Sequence, residues 1–166
     1  MADINLQHGL SESEAVALVE LLFFAYRDFV SDPDHILEGL GFGRAHHRVV
    51  HFVGRDPGMT VAKLLDILQI TKQSLARVLK ELIDKGYVFQ KEGAMDRRQR
   101  LLFLTSKGET LRQKLIAPQI ARFKRAAALN EGGGSFHDLL LHLISPENRE
   151  SAEQWIKGNG AGGQHD

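Results

Sequence analysis

Apolar residues recur at steps of three and four along most of this chain, the spacing that predicts amphipathic helices. The first helix is predicted to begin near Ser11, which has capping-box spacing with Glu14. Its apolar positions are Val16, Val19, Leu22, Phe23, Tyr26, Phe29 and Val30, with Leu18, Leu21 and Phe24 on other faces. A helix that is apolar on several sides is buried between two layers or meets a partner chain. The cluster Ser31-Asp32-Pro33-Asp34 is expected to end it, before a short helical turn near 36–40.

Three further helices are predicted in the middle of the chain. One runs from about Arg44 to Val53, and the next two are capped by Thr60 and Thr71. The helix after Thr71 has its leucines on an inner stripe, basic residues on its outer face, and Gly86 as its stop. Because a link of about three residues joins it to the helix before it, the two form a helix-turn-helix pattern.

A β-hairpin and a long helix are predicted next. Residues 87–91 and 99–104 are short strand candidates, and the polar loop 92–98 between them suits a wing. Thr105 is placed to cap a long helix, which Pro118 should kink or split.

The C-terminal part is predicted to hold a glycine-rich hinge at 131–134 and a last amphipathic helix at 136–144. A helical turn is expected near 152–156. The glycine-rich tail from 158 to 166 is expected to be disordered.

The distribution of charge changes this picture more than its total, which is zero over 166 residues. Between Lys72 and Lys114 there are eleven basic and five acidic residues, an excess of six positive charges over the predicted helix-turn-helix and hairpin. Residues 130–166 instead hold two basic and six acidic residues. A basic region of this kind indicates a nucleic-acid partner.

Several classes of protein are disfavoured by what the sequence lacks. There is no cysteine, which excludes disulfides and thiolate metal sites. No apolar run approaches the roughly 20 residues that span a bilayer, and no secretion signal is recognisable, so a cytoplasmic protein is expected. Neither a phosphate-binding glycine loop, a His-Glu-x-x-His motif nor a nucleophile elbow occurs, so we expect neither an enzyme nor a cofactor.

Three stretches, 57–65, 70–88 and 96–108, together resemble the MarR family of bacterial winged-helix transcription regulators. The last stretch matches the family wing pattern Asp-x-Arg followed by Leu-Thr-x-x-Gly, through Asp96-Arg97-Arg98 and Leu104-Thr105-Ser106-Lys107-Gly108. The resemblance implies a mainly α protein with a small β-hairpin wing, which acts as a homodimer on a palindromic operator. It also implies repression as the commoner outcome, and often release by a small-molecule effector.

The resemblance also implies a domain organisation. A single domain at 1–157 would hold a winged helix-turn-helix lobe at 44–108. Dimerisation helices would lie at 11–32 and 105–157, and the tail at 158–166 would follow them. Two alternatives stay open, namely a metal- or haem-responsive regulator and a winged-helix module that binds protein.

The outer face of the helix after Thr71 holds the first set of candidate DNA contacts. Residues near the N-terminus of such a helix usually reach base edges, which favours Gln73, Ser74 and Arg77 for reading sequence. Lys72 and Lys80 are expected to contact phosphates. A solvated basic face is the alternative.

The wing holds the second set. The resemblance places Arg98 where family members reach the minor groove, and Asp96 is expected to orient an arginine of the tip by a charge-assisted hydrogen bond. Arg97 and Arg100 are expected to contact the DNA backbone. Thr60, as a helix cap, leaves backbone N–H groups available to a phosphate. A hairpin ion-pair network without a DNA role is the alternative.

Tyr26, His46 and Phe123 are assigned to an effector pocket from family geometry alone. His47 and His51 have the i, i+4 spacing that can hold a metal, but their segment has no carboxylate to complete a site. Both are expected towards the outside of their helix, in a surface or interface role. No metal site is therefore expected.

Overall fold

The structure, a computed structural model, describes residues 9–130 and 134–159, without the side chains of 155, 158 and 159. It contains seven helices and three strands in these ranges. In chain order they are α1 (Glu12–Glu38), α2 (Arg44–Arg55), β1 (Met59–Thr60), α3 (Val61–Leu68), α4 (Lys72–Asp84), β2 (Val88–Glu92), β3 (Arg100–Leu104), α5 (Ser106–Leu129), α6 (Phe136–Leu143) and α7 (Pro146–Asn159). The mainly helical fold with a small hairpin is the predicted one.

The three strands form an antiparallel sheet in the order β1-β3-β2. Strands β2 and β3 make the predicted hairpin, with Val88 opposite Leu104 and Glu92 opposite Arg100. The two-residue β1 pairs with β3 through Met59 and Leu102. The short β1 was not predicted from the sequence, because two residues carry no periodicity.

The chain divides into a central unit, Pro33–Pro118, and a terminal unit made of Met1–Asp32 and Gln119–Asp166. The core of the central unit is formed by one side of α2, α3 and α4 together with the sheet and the start of α5. Its fully buried side chains include Leu37, Val49, Val50, Val53, Leu64, Leu75, Val78, Leu82, Leu102 and Leu115. This core holds the helix-turn-helix and the wing as one body.

Among the described residues, the core of the terminal unit is smaller, and it includes a polar network. Its buried apolar residues include Leu21, Ala25, Ala126, Leu140 and Ile144. The buried Arg122 donates to Leu143 O and to Asp32 Oδ2, both at 3.0 Å. The buried Asp28 accepts from Ser145 N at 2.8 Å. The network ties the first helix and α5 to the α6–α7 connection.

The prediction that the Ser31–Asp34 cluster ends the first helix is wrong. Helix α1 contains Pro33 and continues to Glu38, which also absorbs the predicted turn near 36–40. Proline has no N–H for the carbonyl of Phe29, four residues earlier. The helix nevertheless continues, and Gln119 Nε2 donates to Phe29 O at 3.4 Å, which gives this carbonyl a partner.

Three further predictions differ from the structure in the C-terminal half. Pro118 was predicted to kink or split the long helix, and the split does not occur, because α5 runs without a break from Ser106 to Leu129. The turn predicted at 152–156 is part of the 14-residue α7. The tail was expected to be disordered from residue 158, but residues 158 and 159 belong to α7. Of the predicted hinge and tail, residues 131–133 and 160–166 lie outside the described residues. Within the described ranges, the structure contains no helix with the length and apolar character needed to cross a membrane.

Candidate nucleic-acid interface

Helices α3 and α4 form the predicted helix-turn-helix, and both are capped as expected. Thr60 Oγ1 accepts a hydrogen bond from Lys63 N, and Thr71 Oγ1 accepts one from Ser74 N, each at 3.1 Å. Between the helices, Gln69 adopts a left-handed conformation with φ 51°. The turn is therefore short, and the N-terminus of α4 follows α3 at once.

Helix α4 separates an apolar face from a basic one. Leu75, Val78, Leu79 and Leu82 are buried against the core. Lys72, Gln73, Arg77 and Lys80 are exposed, as a DNA-reading face requires. Ser74 is half-buried, and its hydroxyl accepts a hydrogen bond from Thr71 Oγ1 at 2.9 Å. In this structure the Ser74 side chain therefore contacts the cap residue of α4.

Two of the α4 cations already have carboxylate partners on the same helix. Arg77 Nη1 donates to Glu81 Oε1 at 3.0 Å, and Lys80 pairs with Asp84. Glu81 also contacts the buried His46, whose Nε2 lies 2.7 Å from Glu81 Oε2. The hydrogen bond from His46 is the main cause that lowers the pKa of Glu81, so this carboxylate is charged at neutral pH.

The wing loop is held by its own backbone and by Asp96. Gly93 N donates to Gln99 O at 3.1 Å, which closes the hairpin. Asp96 Oδ1 accepts from Arg98 N at 2.9 Å. Asp96 therefore fixes the main chain of the tip, whereas we expected it to orient an arginine side chain. The reason is the short separation in sequence, because the Asp96 carboxylate lies two residues before the N–H of Arg98 and closes an Asx turn with it.

The arginines of the wing differ in what they contact. Arg100 Nη1 lies 3.3 Å from Glu92 Oε1 on the neighbouring strand, so part of its charge is satisfied within the hairpin. Arg97 and Arg98 are exposed, and within the described ranges neither forms an ion pair. Helix α4 packs against β2, and Lys80 of α4 and Gln90 of β2 line one groove. The basic helix and the wing are thus neighbours in the central unit.

Thr105 and Gly108, the fixed positions of the wing pattern, tie the end of α4 to the start of α5. Thr105 Oγ1 accepts from Gly108 N at 3.0 Å, which confirms the predicted cap, and donates to Gly86 O at 2.6 Å. Gly86 has φ +77° and ends α4 in a Schellman motif, with Tyr87 N donating to Leu82 O. The cap was predicted from the sequence, whereas the hydrogen bond from Thr105 to Gly86 O was not.

His46 is used by the helix-turn-helix itself, although we assigned it to an effector pocket. Its Nδ1 accepts from Gly43 N at 3.1 Å, and its Nε2 contacts Glu81. Both ring nitrogens are thus taken, and the ring stacks on Phe42 with centroids 4.6 Å apart. The other two residues of that assignment, Tyr26 and Phe123, lie in the terminal unit and are each about half exposed.

His47 and His51 are half-buried, whereas we expected them towards the outside of α2. Burial, the largest cause, lowers the pKa of both, and neighbouring cations act in the same direction. Neutral imidazoles can bind metals. Within the described ranges, however, no three His, Asp or Glu side chains are grouped closely enough to hold a metal ion.

Comparison with known proteins gives a consistent result. The model of the MarR family matches residues 40–99. The HTH-type transcriptional regulator PetP from Rhodobacter capsulatus is 45% identical over 156 residues, which cover 90% of this chain and 94% of that one.

Two solved structures show the same fold at low sequence identity. FabT from Streptococcus pneumoniae in complex with DNA has a TM-score of 0.61 at 17% identity, over 87% of this chain and 99% of that one. A SlyA-like transcription regulator from Listeria monocytogenes has a TM-score of 0.54 at 19% identity and full coverage of both chains.

Proposed function

Because this chain belongs to the MarR family of DNA-binding transcription regulators, we propose that it acts as a homodimeric repressor on a palindromic operator. The observation that carries the proposal is the pairing of two exposed basic elements in one unit. Helix α4 presents Gln73 and Arg77, and the neighbouring wing presents Arg97 and Arg98. A helix in the major groove with a charged loop beside it fits this arrangement.

The division of labour among these residues follows from their chemistry. Arg77 can read a guanine through two N–H groups, and Gln73 can read an adenine. Lys72 and Lys80 contact phosphates, as do the backbone N–H groups that follow the cap residue Thr60. Arg98 enters the minor groove, and Arg97 and Arg100 contact the backbone beside it.

An exposed apolar face in the terminal unit supports the dimer. Five residues of α1 at helical spacing are each at least half exposed, and Phe23 is 69% exposed: Val16, Val19, Leu22, Phe23 and Tyr26. Ile120, Phe123 and Leu129 of α5 are also exposed. A monomer seldom leaves so many apolar side chains in water. A twofold contact between two such faces would bury them.

The proposed repression acts by exclusion from the DNA, and its proposed release acts through the geometry of the dimer. A protein bound at an operator excludes other proteins from the same DNA. The dimer fixes the distance between its two α4 helices, so an effector that binds better to a dimer with another spacing would release the operator.

Selection of bound fragments from a random DNA pool tests symmetry and spacing together. We expect an inverted repeat whose half-sites lie about 10 base pairs apart, or a multiple of that distance. The Arg77→Ala, Arg98→Ala double variant is the control and should recover no site. Recovery of a single, non-symmetric site by the wild-type protein would overturn the dimer model, and no recovery would overturn operator binding.

A further inference from the structure

Glu81 is held from two sides, which distinguishes it from Asp84, the other carboxylate on α4. One oxygen, Oε1, accepts from Arg77 Nη1 at 3.0 Å, and the other, Oε2, lies 2.7 Å from His46 Nε2. An ion pair at the surface is usually mobile, because its small interaction energy hardly offsets the conformational entropy that two long side chains lose in one geometry. A carboxylate whose second oxygen is bound to a buried ring loses that mobility.

His46 is a rigid support for this carboxylate. Its side chain is 6% exposed and packs flat against Phe42. Gly43 N donates to Nδ1, so that nitrogen carries no proton and the ring proton lies on Nε2, directed at Glu81. The backbone at the start of α2 therefore determines which ring nitrogen faces α4.

Glu81, held by His46, in turn orients the guanidinium of Arg77. One N–H of its guanidinium is used by Glu81. A guanidinium has five N–H groups in a fixed fork, so the remaining ones stay available for the two acceptors of a guanine edge. A fork held in one direction before binding loses less freedom on binding than a mobile one.

We propose that Glu81 and His46 are positioning residues for base recognition, which hold the Arg77 guanidinium in the orientation that reads one base. This inference rests on the proposed function, because it assumes that Arg77 contacts a base. The buried ring sets the carboxylate, and the carboxylate sets the arginine. Neither residue needs to touch DNA.

Asp84 provides a matched comparison on the same helix. It pairs with Lys80 at the same i, i+4 spacing, but its side chain is 58% exposed and both partners lie in solvent. Removal of the charge from Asp84 or from Glu81 changes the charge of α4 by the same amount. Only Glu81 connects its cation to the buried core.

The experiment measures dissociation constants for duplexes that differ only at the base pair where Arg77→Ala loses discrimination. Glu81→Gln should reduce the ratio of the dissociation constants for the wrong and the right base pair by about fivefold or more. Its binding to unrelated DNA should not become weaker. Asp84→Asn should leave the ratio unchanged. An unchanged ratio in Glu81→Gln, or an equal reduction in both variants, would overturn the inference.

A second background shows whether Glu81 acts through Arg77. In Arg77→Ala protein, Glu81→Gln should cause no further loss of discrimination, and an additional loss there would contradict the proposal. Glu81→Asp, which keeps the charge but cannot span both partners, should also lose discrimination and serves if Glu81→Gln does not fold. Failure of the proposed function would look different, because the wild-type protein would then discriminate between no sequences.

Discussion

Gly108 lies where the first turn of α5 meets the main chain that leaves α4. A Cβ atom at this position would overlap Tyr87 O. Thr105, three residues earlier, donates to the neighbouring Gly86 O. The pattern Leu-Thr-x-x-Gly thus describes a close contact between two backbone segments, with the hydroxyl making the bond and the glycine leaving the space.

Gly108→Ala should therefore destabilise the protein. Alanine is about 1 kcal/mol better than glycine in a helix interior, but the overlap with Tyr87 O should cost more, and we expect a net loss of about 1–3 kcal/mol. Urea denaturation measures the free energy of unfolding. Gly39→Ala is the control, because the nearest atom to its Cβ would be Ile36 O at an ordinary 3.6 Å. Equal losses in both variants would contradict the close-contact explanation.

Loss of Arg98 and loss of Arg77 should change DNA binding in different ways. Arg98→Ala should weaken binding to every DNA sequence by a similar factor, since a groove contact at the wing depends little on the bases. Arg77→Ala should relax discrimination at one base pair, by roughly 1–3 kcal/mol. Binding to a panel of single-base operator variants distinguishes the two patterns. Identical profiles for both variants would contradict the assigned roles.

The sequence predicts the residues of the site better than their partners. The exposed positions of α4 and the wing follow from helical spacing and from the wing pattern. The contact of His46 with Glu81 does not, because 35 residues separate the two and only the packing of α2 on α4 joins them. The family geometry pointed to an effector pocket for His46, and the structure gives it another use.

Helix α1 shows the same difference at the scale of elements. Element ends marked by local chemistry were predicted correctly, as at Thr60, Thr71 and Thr105. Continuation of α1 through Pro33 was not predicted, because no local signal shows that Gln119, 90 residues later, donates to the carbonyl of Phe29. A local rule predicts where a helix can end, but it carries no information about contacts made far along the chain.

Helix α2 should make stability depend on pH through His47 and His51. Burial lowers the pKa of both below the ordinary value of 6.5, so the folded state binds fewer protons than the unfolded one in mildly acid solution. Stability should be greatest above about pH 6.5 and fall as the pH decreases through that value. Free energies of unfolding, measured at neutral and mildly acid pH, test this.

The His47→Gln, His51→Gln double variant should lose most of that decrease. His35→Gln is the control, because His35 is exposed on α1. If the double variant keeps the whole pH dependence of the wild-type protein, the half-buried imidazoles of α2 are not its source.

At the scale of the whole molecule, the central unit carries the basic surface and the terminal unit carries the exposed apolar face. The sequence predicted the basic surface from its charge excess, and it predicted a first helix that is apolar on several sides. It could not separate an internal layer from a partner chain, because periodicity describes a face and not what covers it. Residues such as Phe23 and Leu22, exposed in one chain, favour the partner chain.

Phe23→Glu should convert the protein to a monomer that keeps its fold. Charge at the most exposed aromatic of the face would oppose burial against a second copy. Analytical ultracentrifugation measures the oligomeric state, and the affinity for an inverted repeat should decrease with it. Ile67→Glu places the same charge on an exposed apolar position of α3 and should stay dimeric. A Phe23→Glu protein that remains a dimer would contradict the assignment of this face.

If the proposed operator binding holds, the carboxylates beside Arg77 and Lys80 should also affect how the protein is distributed over a chromosome. Attraction between cations and phosphates supplies nearly all affinity for arbitrary duplex, and these two cations are partly neutralised before any duplex arrives. A genome offers about 10⁶–10⁹ competing sites, each able to retain a copy that the operator then lacks. A regulator with weak non-specific affinity leaves more copies free of non-specific DNA. Fewer copies then need to be synthesised to keep one promoter occupied.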